Sequence, residues 1–206
     1  MALGVTAFLF VAIVVAYAGH LRHSARDLMI SARQIHSTAD AEREITMWRG
    51  RVPRGYTESR SPDGKGLACQ IQLNNSLLSR LHLVPNSGIL LQITLYSGQL
   101  SDVLIGVYTE TSSVWVQEDF SGKGLEKLFV NSERDGSGKP LKTTVMLTSN
   151  VGSGERQNAF ALDSTCLVKL GGCPHADEIL PTLPLLQNSA RTPSTGGVAK
   201  RADRSL

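Results

Sequence analysis

The stretch ALGVTAFLFVAIVVAYAG, Ala2 to Gly19, decides the architecture of this chain. It contains no charged residue and is dense in β-branched and aromatic side chains. An α-helix of this length rises about 27 Å, close to the thickness of the hydrocarbon core of a bilayer. We therefore predict a single-pass membrane protein with its anchor at residues 1–19 and the lipid bilayer as the partner of residues 2–19.

Two other interpretations of this stretch stay open. Ala16-Tyr17-Ala18 has the small-x-small form that signal peptidase accepts, although no Lys or Arg precedes the apolar run as it does in a secretory signal. The other alternative is a buried helix of a soluble protein, but a helix that is apolar all round needs protein on every side. The anchor is the interpretation that length and flanking residues favour.

The orientation of the anchor is harder to derive. Arg22 and Arg26 come after the apolar run, so the positive-inside rule alone would keep the rest of the chain in the cytoplasm. A short N-terminal hydrophobic segment, however, commonly exports the domain on its C-terminal side. We expect an extracytoplasmic domain.

Residues 20–50 show a helical pattern. Apolar residues recur with spacings of four and three at Leu21, Ala25, Leu28, Ala32 and Ile35. Ser37 or Thr38 is a suitable N-cap for a second helix over about residues 39–49, and Gly50 with Pro53 would end it. We predict a helical stalk or hairpin here, followed by a loop at residues 51–66 that is rich in Ser, Pro, Asp and Gly.

Beyond this loop the apolar period changes to two, which indicates β-strands. The first strand covers residues 67–73, and others are predicted at residues 77–84, 89–96, 99–109, 114–116, 143–148 and 159–162. Ser97-Gly98 joins two of them as a hairpin turn, and residues 131–139 have loop composition. A short helix is predicted at residues 175–180 between two prolines.

The predicted fold class is therefore α+β. It comprises an N-terminal transmembrane helix, a helical hairpin, and a small antiparallel β-sheet meander with a short C-terminal helix. The β-rich domain spans residues 67–183, and residues 184–206 are too polar to bury and form a disordered tail.

Residues that could carry chemistry are dispersed. The chain has five histidines, His20, His23, His36, His82 and His175, and it lacks the Cys-x2-Cys and His-x3-His pairs from which zinc sites are usually built. No G-x-S-x-G or phosphate-binding motif is complete. We predict no catalytic residue, no metal ligand and no cofactor, so the protein is not expected to be an enzyme.

Charge also excludes one class of partner. The net charge of +3 arises largely from the tail, where Arg191, Lys200, Arg201 and Arg204 face only Asp203. A nucleic-acid binder gathers basic residues on one stripe with aromatic residues for stacking, and no such cluster is present in the sequence. We therefore expect no nucleic-acid partner.

The cysteines leave three alternatives. Cys166 and Cys173 could form a disulfide across the Gly171-Gly172 turn if the domain is exported, or remain free thiols if it is cytosolic. A metal site that adds His175 is the third alternative, although Cys-x6-Cys-x-His matches no standard zinc spacing. The odd third cysteine, Cys69, does not decide among them.

Two stretches resemble known proteins. STADA at residues 37–41, and CLVKLGGC at residues 166–173 followed by EILP at residues 178–181, resemble parts of uncharacterised bacterial proteins with a single N-terminal membrane anchor. The layout is also similar to the BamE/SmpA type of small envelope protein, in which two helices pack on a three-stranded sheet. This chain departs from that family because no lipobox cysteine follows the apolar segment and His36 replaces the glycine before the helix cap. The resemblance implies no activity.

The sequence supports three functional hypotheses. The leading one is a non-enzymatic envelope protein whose domain contacts another protein as an interaction or scaffold module. The second is an extracytoplasmic sensor that binds a small ligand in an apolar pocket lined by Trp115 or Tyr108. The third is a hydrolase with an unrecognised site, which would require Cys69, His82 and an acid within hydrogen-bond reach.

Overall fold

Two helices precede the sheet in the computed structural model, which describes residues 2–51, 55–122 and 127–191. They are α1 (Ala2–Gln34) and α2 (Thr38–Arg51). α1 continues without a break from the apolar stretch into the segment predicted as a stalk, so no change in secondary structure separates the two. Within the described part of the chain, Val5–Gln34 is the one helical segment long and apolar enough to cross a bilayer, with a mean hydropathy of 1.8 over an 18-residue window.

The two halves of α1 have different surroundings. Val5, Phe8 and Ile13 are 60%, 74% and 61% exposed, whereas Ala25 and Ile35 are fully buried in the domain. Only 6% of the apolar window is buried, whereas a core helix of a soluble protein is mostly buried. The same helix thus offers an uncovered apolar surface at its start and contributes to the core at its end.

The sheet has seven strands in the order β1-β2-β3-β4-β5-β7-β6. The strands are β1 (Tyr56–Arg60), β2 (Gly66–Asn74), β3 (Ser87–Tyr96), β4 (Gln99–Thr109), β5 (Ser113–Asp119), β6 (Leu128–Arg134) and β7 (Pro140–Thr148). All neighbouring pairs are antiparallel except β5 and β7, which are parallel. The prediction of a wholly antiparallel meander is wrong at this point, because β7 inserts between β5 and β6.

The central strands are those that the alternation of apolar residues predicted. β2, β3 and β4 match the predicted bounds within two residues, and Ser97 and Gly98 form the connecting turn with φ of 51° and 75°. Positive φ at both positions gives the turn a twist that matches the flanking strands.

Strands with few buried side chains depart from the prediction. β1 lies inside the segment predicted as loop, and four of its five residues are exposed. β6 overlaps the predicted loop at residues 131–139, and β5 is a seven-residue internal strand, longer than the three residues predicted at 114–116.

Four shorter helices lie in the remaining connections of the described chain. They are α3 (Ser76–Arg80), α4 (Ser153–Ala159), α5 (Ala176–Ile179) and α6 (Leu183–Arg191), with a 3-10 helix at Ser164–Leu167 between α4 and α5. The strand predictions at residues 77–84 and 159–162 are wrong, because α3 occupies the first and α4 ends at the start of the second. α6 extends into the predicted tail, and residues 192–206 lie outside the described residues.

The helices pack on one face of the sheet. Contacts join α1 to β3 and β4, α2 to β4, and α5 to β5 and β7. The buried strand residues facing these helices include Ile71, Ile89, Leu91, Ile93, Val103, Ile105, Val107, Val114, Val116, Val145 and Leu147. On the opposite face of β2 to β5, every side chain is at least partly exposed. The fold is therefore a two-layer α+β arrangement with one uncovered sheet face.

Candidate interaction surface

The uncovered face of the sheet carries a mixture of apolar, aromatic and amide side chains. We call it the open face and define it by the outward residues Gln70, Gln72, Leu90, Gln92, Leu104, Tyr108, Trp115, Gln117, Phe129, Thr144 and Met146. Leu104, Gln117, Met146 and Phe129 lie side by side on four successive strands. Met146 is 41% and Phe129 is 44% exposed.

Trp115 lies flat at the centre of the open face. It is opposite Gly106 on β4, and a Cβ added to Gly106 would overlap the six-membered ring of the Trp115 indole. The glycine is therefore needed for the indole to lie against the sheet. Trp115 also stacks on Tyr108, with ring centroids 6.3 Å apart and planes inclined by 11°.

Hydrogen bonds hold Tyr108 in place. Its hydroxyl donates to Asn74 Oδ1 at 2.5 Å and accepts a hydrogen bond from Gln72 Nε2 at 2.7 Å. Two aromatic rings are thus fixed before any partner arrives, which lowers the entropy cost of binding. The arrangement is a flat aromatic platform.

Three clefts among the described residues touch the open face only at its margins, through Phe129 and Gln72. Their volumes are about 370 Å³ between β6 and α6, about 290 Å³ between α1 and the 3-10 helix, and about 350 Å³ between α1 and β2. Neither Trp115 nor Tyr108 lines any of the three. These two rings therefore do not line any of these clefts, as the hypothesis of a small-ligand sensor would require.

A buried ion pair fixes the end of α1 to the sheet. Arg156 on α4 donates from Nε to the carboxylate of Glu118 on β5 at 2.8 and 2.9 Å, and their side chains are 12% and 3% exposed. The same guanidinium donates to the carbonyl oxygens of Arg33 at 2.6 Å and Ile35 at 2.9 Å. The last carbonyls of a helix lack partners within it, so Arg156 caps α1 with a positive charge at its negative end.

α1 makes a reciprocal contact with the end of α4. Arg33 donates from Nε and Nη2 to the carbonyl oxygen of Phe160 at 3.0 and 2.7 Å. The Arg156 guanidinium also lies 4.9 Å from the centroid of the buried Phe160 ring. These contacts connect α1, α4 and β5, which indicates a rigid joint between the apolar helix and the domain.

The residues proposed for a hydrolase do not form a catalytic group. Cys69 is fully buried, and burial raises the pKa of its thiol, so the reactive thiolate is disfavoured. The end of β2 lies about 17 Å along the strand from Cys69. His82 lies beyond that end, because it follows α3. Across from Cys69, Glu58 on β1 is already bound to Arg49.

Glu58 is the centre of a small polar cluster at the β1 edge. Arg49 donates to its two carboxylate oxygens at 2.5 and 3.0 Å, and the hydroxyl of Tyr56 also donates to it. The hydrogen bonds from Arg49, and secondly from Tyr56, lower the pKa of Glu58 to about 2. Burial is the main cause that raises the pKa of Tyr56, and its hydrogen bond to Glu58 adds to this.

This cluster predicts an acid dependence of stability. The pKa of Glu58 is lower in the folded state than its ordinary value of 4.5, so its ionised form stabilises the fold above pH 4.5. That stabilisation should be lost as the pH falls from 4.5 towards 2. The free energy of unfolding, measured by urea denaturation across this range, should fall less steeply in Glu58→Gln than in the wild type. Equal slopes would contradict the assignment.

Cys166 and Cys173 form a disulfide, with their Cα atoms 5.4 Å apart, and Cys69 is a free buried thiol. The metal alternative does not fit this arrangement because the two sulfur atoms are bonded to each other. His175 instead lies 3.5 Å from carboxylate oxygens of Asp135 and of Glu178. No group of three or more potential metal ligands occurs in the described ranges.

The joint at Arg156 and the open face as a surface were not predicted from the sequence. Comparison of the chain with protein-family models, with curated proteins and with solved structures found no match. The function of the chain must therefore be inferred from the geometry of the molecule itself.

Proposed function

We propose that this chain is a single-pass membrane protein whose domain binds another protein through the open face, without catalysing a reaction. The observation that carries the proposal is the flat platform of Trp115 and Tyr108 on an otherwise uncovered sheet. Tryptophan, tyrosine and methionine are enriched in protein interfaces, and truncating such anchors commonly causes the largest losses of affinity.

Charge narrows the chemistry of the partner. Asp102 and Asp119 are neighbours on β4 and β5, and Glu133 is paired with Lys142 at 3.6 Å. The residues that define the open face carry no charge, and Glu133 and Lys142 neutralise each other, so the two aspartates give the surroundings of the open face an excess of negative charge, which disfavours nucleic acids and anionic lipid headgroups. Its partner is a protein surface with an apolar centre and basic residues beside it.

The apolar start of α1 supports the membrane part of the proposal. Exposing Val5, Phe8 and Ile13 to water would be unfavourable, whereas a bilayer would cover them. Tyr17 packs against the core and its hydroxyl donates to the carbonyl oxygen of Asn74 at 3.3 Å. Cleavage after Ala18 would remove this contact, so we propose that the anchor is retained.

The side of the membrane is also a proposal. The disulfide between Cys166 and Cys173 favours an oxidising, extracytoplasmic compartment, where such bonds persist. We further propose that the second half of α1 and α2 together form the helical hairpin predicted for residues 20–50. The similarity in layout to BamE/SmpA-type proteins stays a prediction.

A photo-crosslinking amino acid in place of Met146, in intact membranes, tests the function. We expect one discrete crosslinked protein, and none when the same probe replaces Leu170, which is 78% exposed on the helical side of the domain. The captured partner, once purified, should bind Trp115→Ala at least about 30-fold more weakly than the wild type, as expected for an interface anchor. It should also bind Asp119→Lys more weakly.

Two outcomes would contradict the proposal. Equal crosslinking from Met146 and Leu170 would mean that the open face has no preference for a partner. Unchanged binding by both Trp115→Ala and Asp119→Lys would mean that the captured protein contacts another surface.

A further inference from the structure

A basic groove lies where α1 meets the 3-10 helix. It has a volume of about 290 Å³ and is lined by Arg22, Arg26, Ile30 and Arg33 from α1, and by Ser164 and Thr165 opposite. The four α1 residues are spaced by four, four and three, so they lie along one side of the helix. The open face does not include any of them.

The position of the groove relative to the apolar stretch is set by helix geometry. Arg22 is three residues beyond Gly19 and Arg26 is seven, which places their Cα atoms about 4.5 and 10.5 Å past the end of that stretch. The polar headgroup region extends about 5 to 7 Å beyond the hydrocarbon core on each side of a bilayer. The long side chains of Arg22 and Arg26 can extend back towards the bilayer, so their guanidinium groups lie at the level of the headgroups.

Arg22 and Arg26 are available for a ligand. Both are exposed, and within the described residues neither makes a hydrogen bond or an ion pair. Their side chains are one helical turn apart, so both guanidinium groups can reach a single anion. Arg33, deeper in the groove, already donates to the carbonyl oxygen of Phe160.

The acidic groups nearby are occupied. Asp163, which also lines the groove, accepts hydrogen bonds from Thr165 N at 2.8 Å and Thr165 Oγ1 at 2.7 Å. Asp27 on α1 lies 3.7 Å from His23 Nδ1. Asp163 keeps its negative charge, but Arg22, Arg26 and Arg33 outnumber it, so the groove has an excess of positive charge.

We propose that Arg22 and Arg26 bind the phosphate group of an anionic phospholipid in the leaflet from which α1 emerges. Guanidinium groups match phosphate oxygens with paired hydrogen bonds, and basic pockets beside membrane helices bind lipid headgroups. A lipid is favoured over a free phosphate ion because the acyl chains hold its headgroup at this depth. The inference rests on the membrane anchorage proposed above, but not on the protein partner.

Native mass spectrometry of the full chain, released from micelles that contain equal amounts of phosphatidylglycerol and phosphatidylcholine, tests this binding. The wild type is expected to retain phosphatidylglycerol about 30-fold more strongly than Arg22→Gln/Arg26→Gln, since each basic residue near a membrane surface contributes a factor of about five. The control Arg60→Gln/Arg80→Gln removes two arginines that do not line the groove and should behave as the wild type. Inorganic phosphate at millimolar concentration should not displace the lipid.

Three results would overturn the inference. One is equal retention of phosphatidylglycerol by the wild type and Arg22→Gln/Arg26→Gln; another is an equal loss in the control, which would indicate a general charge effect. Displacement by inorganic phosphate would show a free-anion site instead of a lipid site. Flotation of each variant with liposomes tests the membrane anchorage separately. A variant that floats but does not retain phosphatidylglycerol has lost the lipid site, whereas a variant that does not float has lost the anchorage.

Discussion

Replacing Arg156 with alanine is expected to lower the free energy of unfolding by about 3 to 5 kcal/mol, the usual cost of breaking a buried ion pair from one side. The change leaves the Glu118 carboxylate, 3% exposed, without its counter-charge. It also removes the donors that satisfy the carbonyl oxygens of Arg33 and Ile35 at the end of α1. Urea denaturation of the full chain in micelles, followed by the fluorescence of its two tryptophans, Trp48 and Trp115, measures the loss.

Two further variants separate the buried pair from a general effect of losing an arginine. Arg43→Ala breaks an exposed ion pair with Asp40, which water and salt screen, and should have little effect on the free energy of unfolding. Adding Glu118→Gln to Arg156→Ala should recover part of the loss, because no unpaired charge then remains buried. A cost for Arg156→Ala no larger than that for Arg43→Ala would show that the joint does not stabilise the fold.

The parts of the fold that sequence predicted are those where burial imposes a period. Ile89, Leu91 and Ile93 alternate with outward residues because only one face of β3 contacts the helices. Likewise, the four-and-three spacing from Leu21 to Ile35 marks the side of α1 that enters the core. In both cases a local pattern follows from a contact with one large apolar surface.

The errors lie where burial imposes no period. β1 is an edge strand held by backbone hydrogen bonds to β2, and its exposed side chains carry no alternation. The parallel pairing of β5 with β7 arises because β7 inserts between β5 and β6. An alternation of apolar residues identifies a strand but does not say which strand it pairs with. The segment of α3 resembles a strand in sequence because Leu77 and Leu78 give it apolar character without a decisive period.

The candidate surface and the joint were harder still to predict, because both are made by distant residues. Arg156 is 38 residues from Glu118 and 123 from Arg33, so no local spacing links them. The second of the three functional hypotheses, a ligand-binding sensor, required a pocket lined by Trp115 or Tyr108, but in the structure these rings stack on an open sheet surface. Gly106 is the reason that Trp115 lies on the sheet surface, because the space above this glycine lets the indole lie flat.

Removing the disulfide with Cys166→Ala/Cys173→Ala is expected to lower the free energy of unfolding by about 2.5 kcal/mol, the chain-entropy value for a loop of about eight residues. The two cysteines are separated by seven positions, and both side chains are buried beside the core. Without the bond, the unfolded chain gains freedom around the Gly171-Gly172 turn while the folded state keeps its shape. The same micelle denaturation measures this loss.

Reduction distinguishes the disulfide from the free thiols that the sequence left as an alternative. Dithiothreitol should bring the wild type to the stability of Cys166→Ala/Cys173→Ala, because it removes the same cross-link, and should not change the double variant. Cys69→Ala is the matched control: it removes a buried thiol but keeps the bond, so it should retain the full response to reductant. A wild type whose stability does not respond to dithiothreitol under unfolding conditions would mean that the thiols are free, and the main support for an extracytoplasmic domain would then be lost.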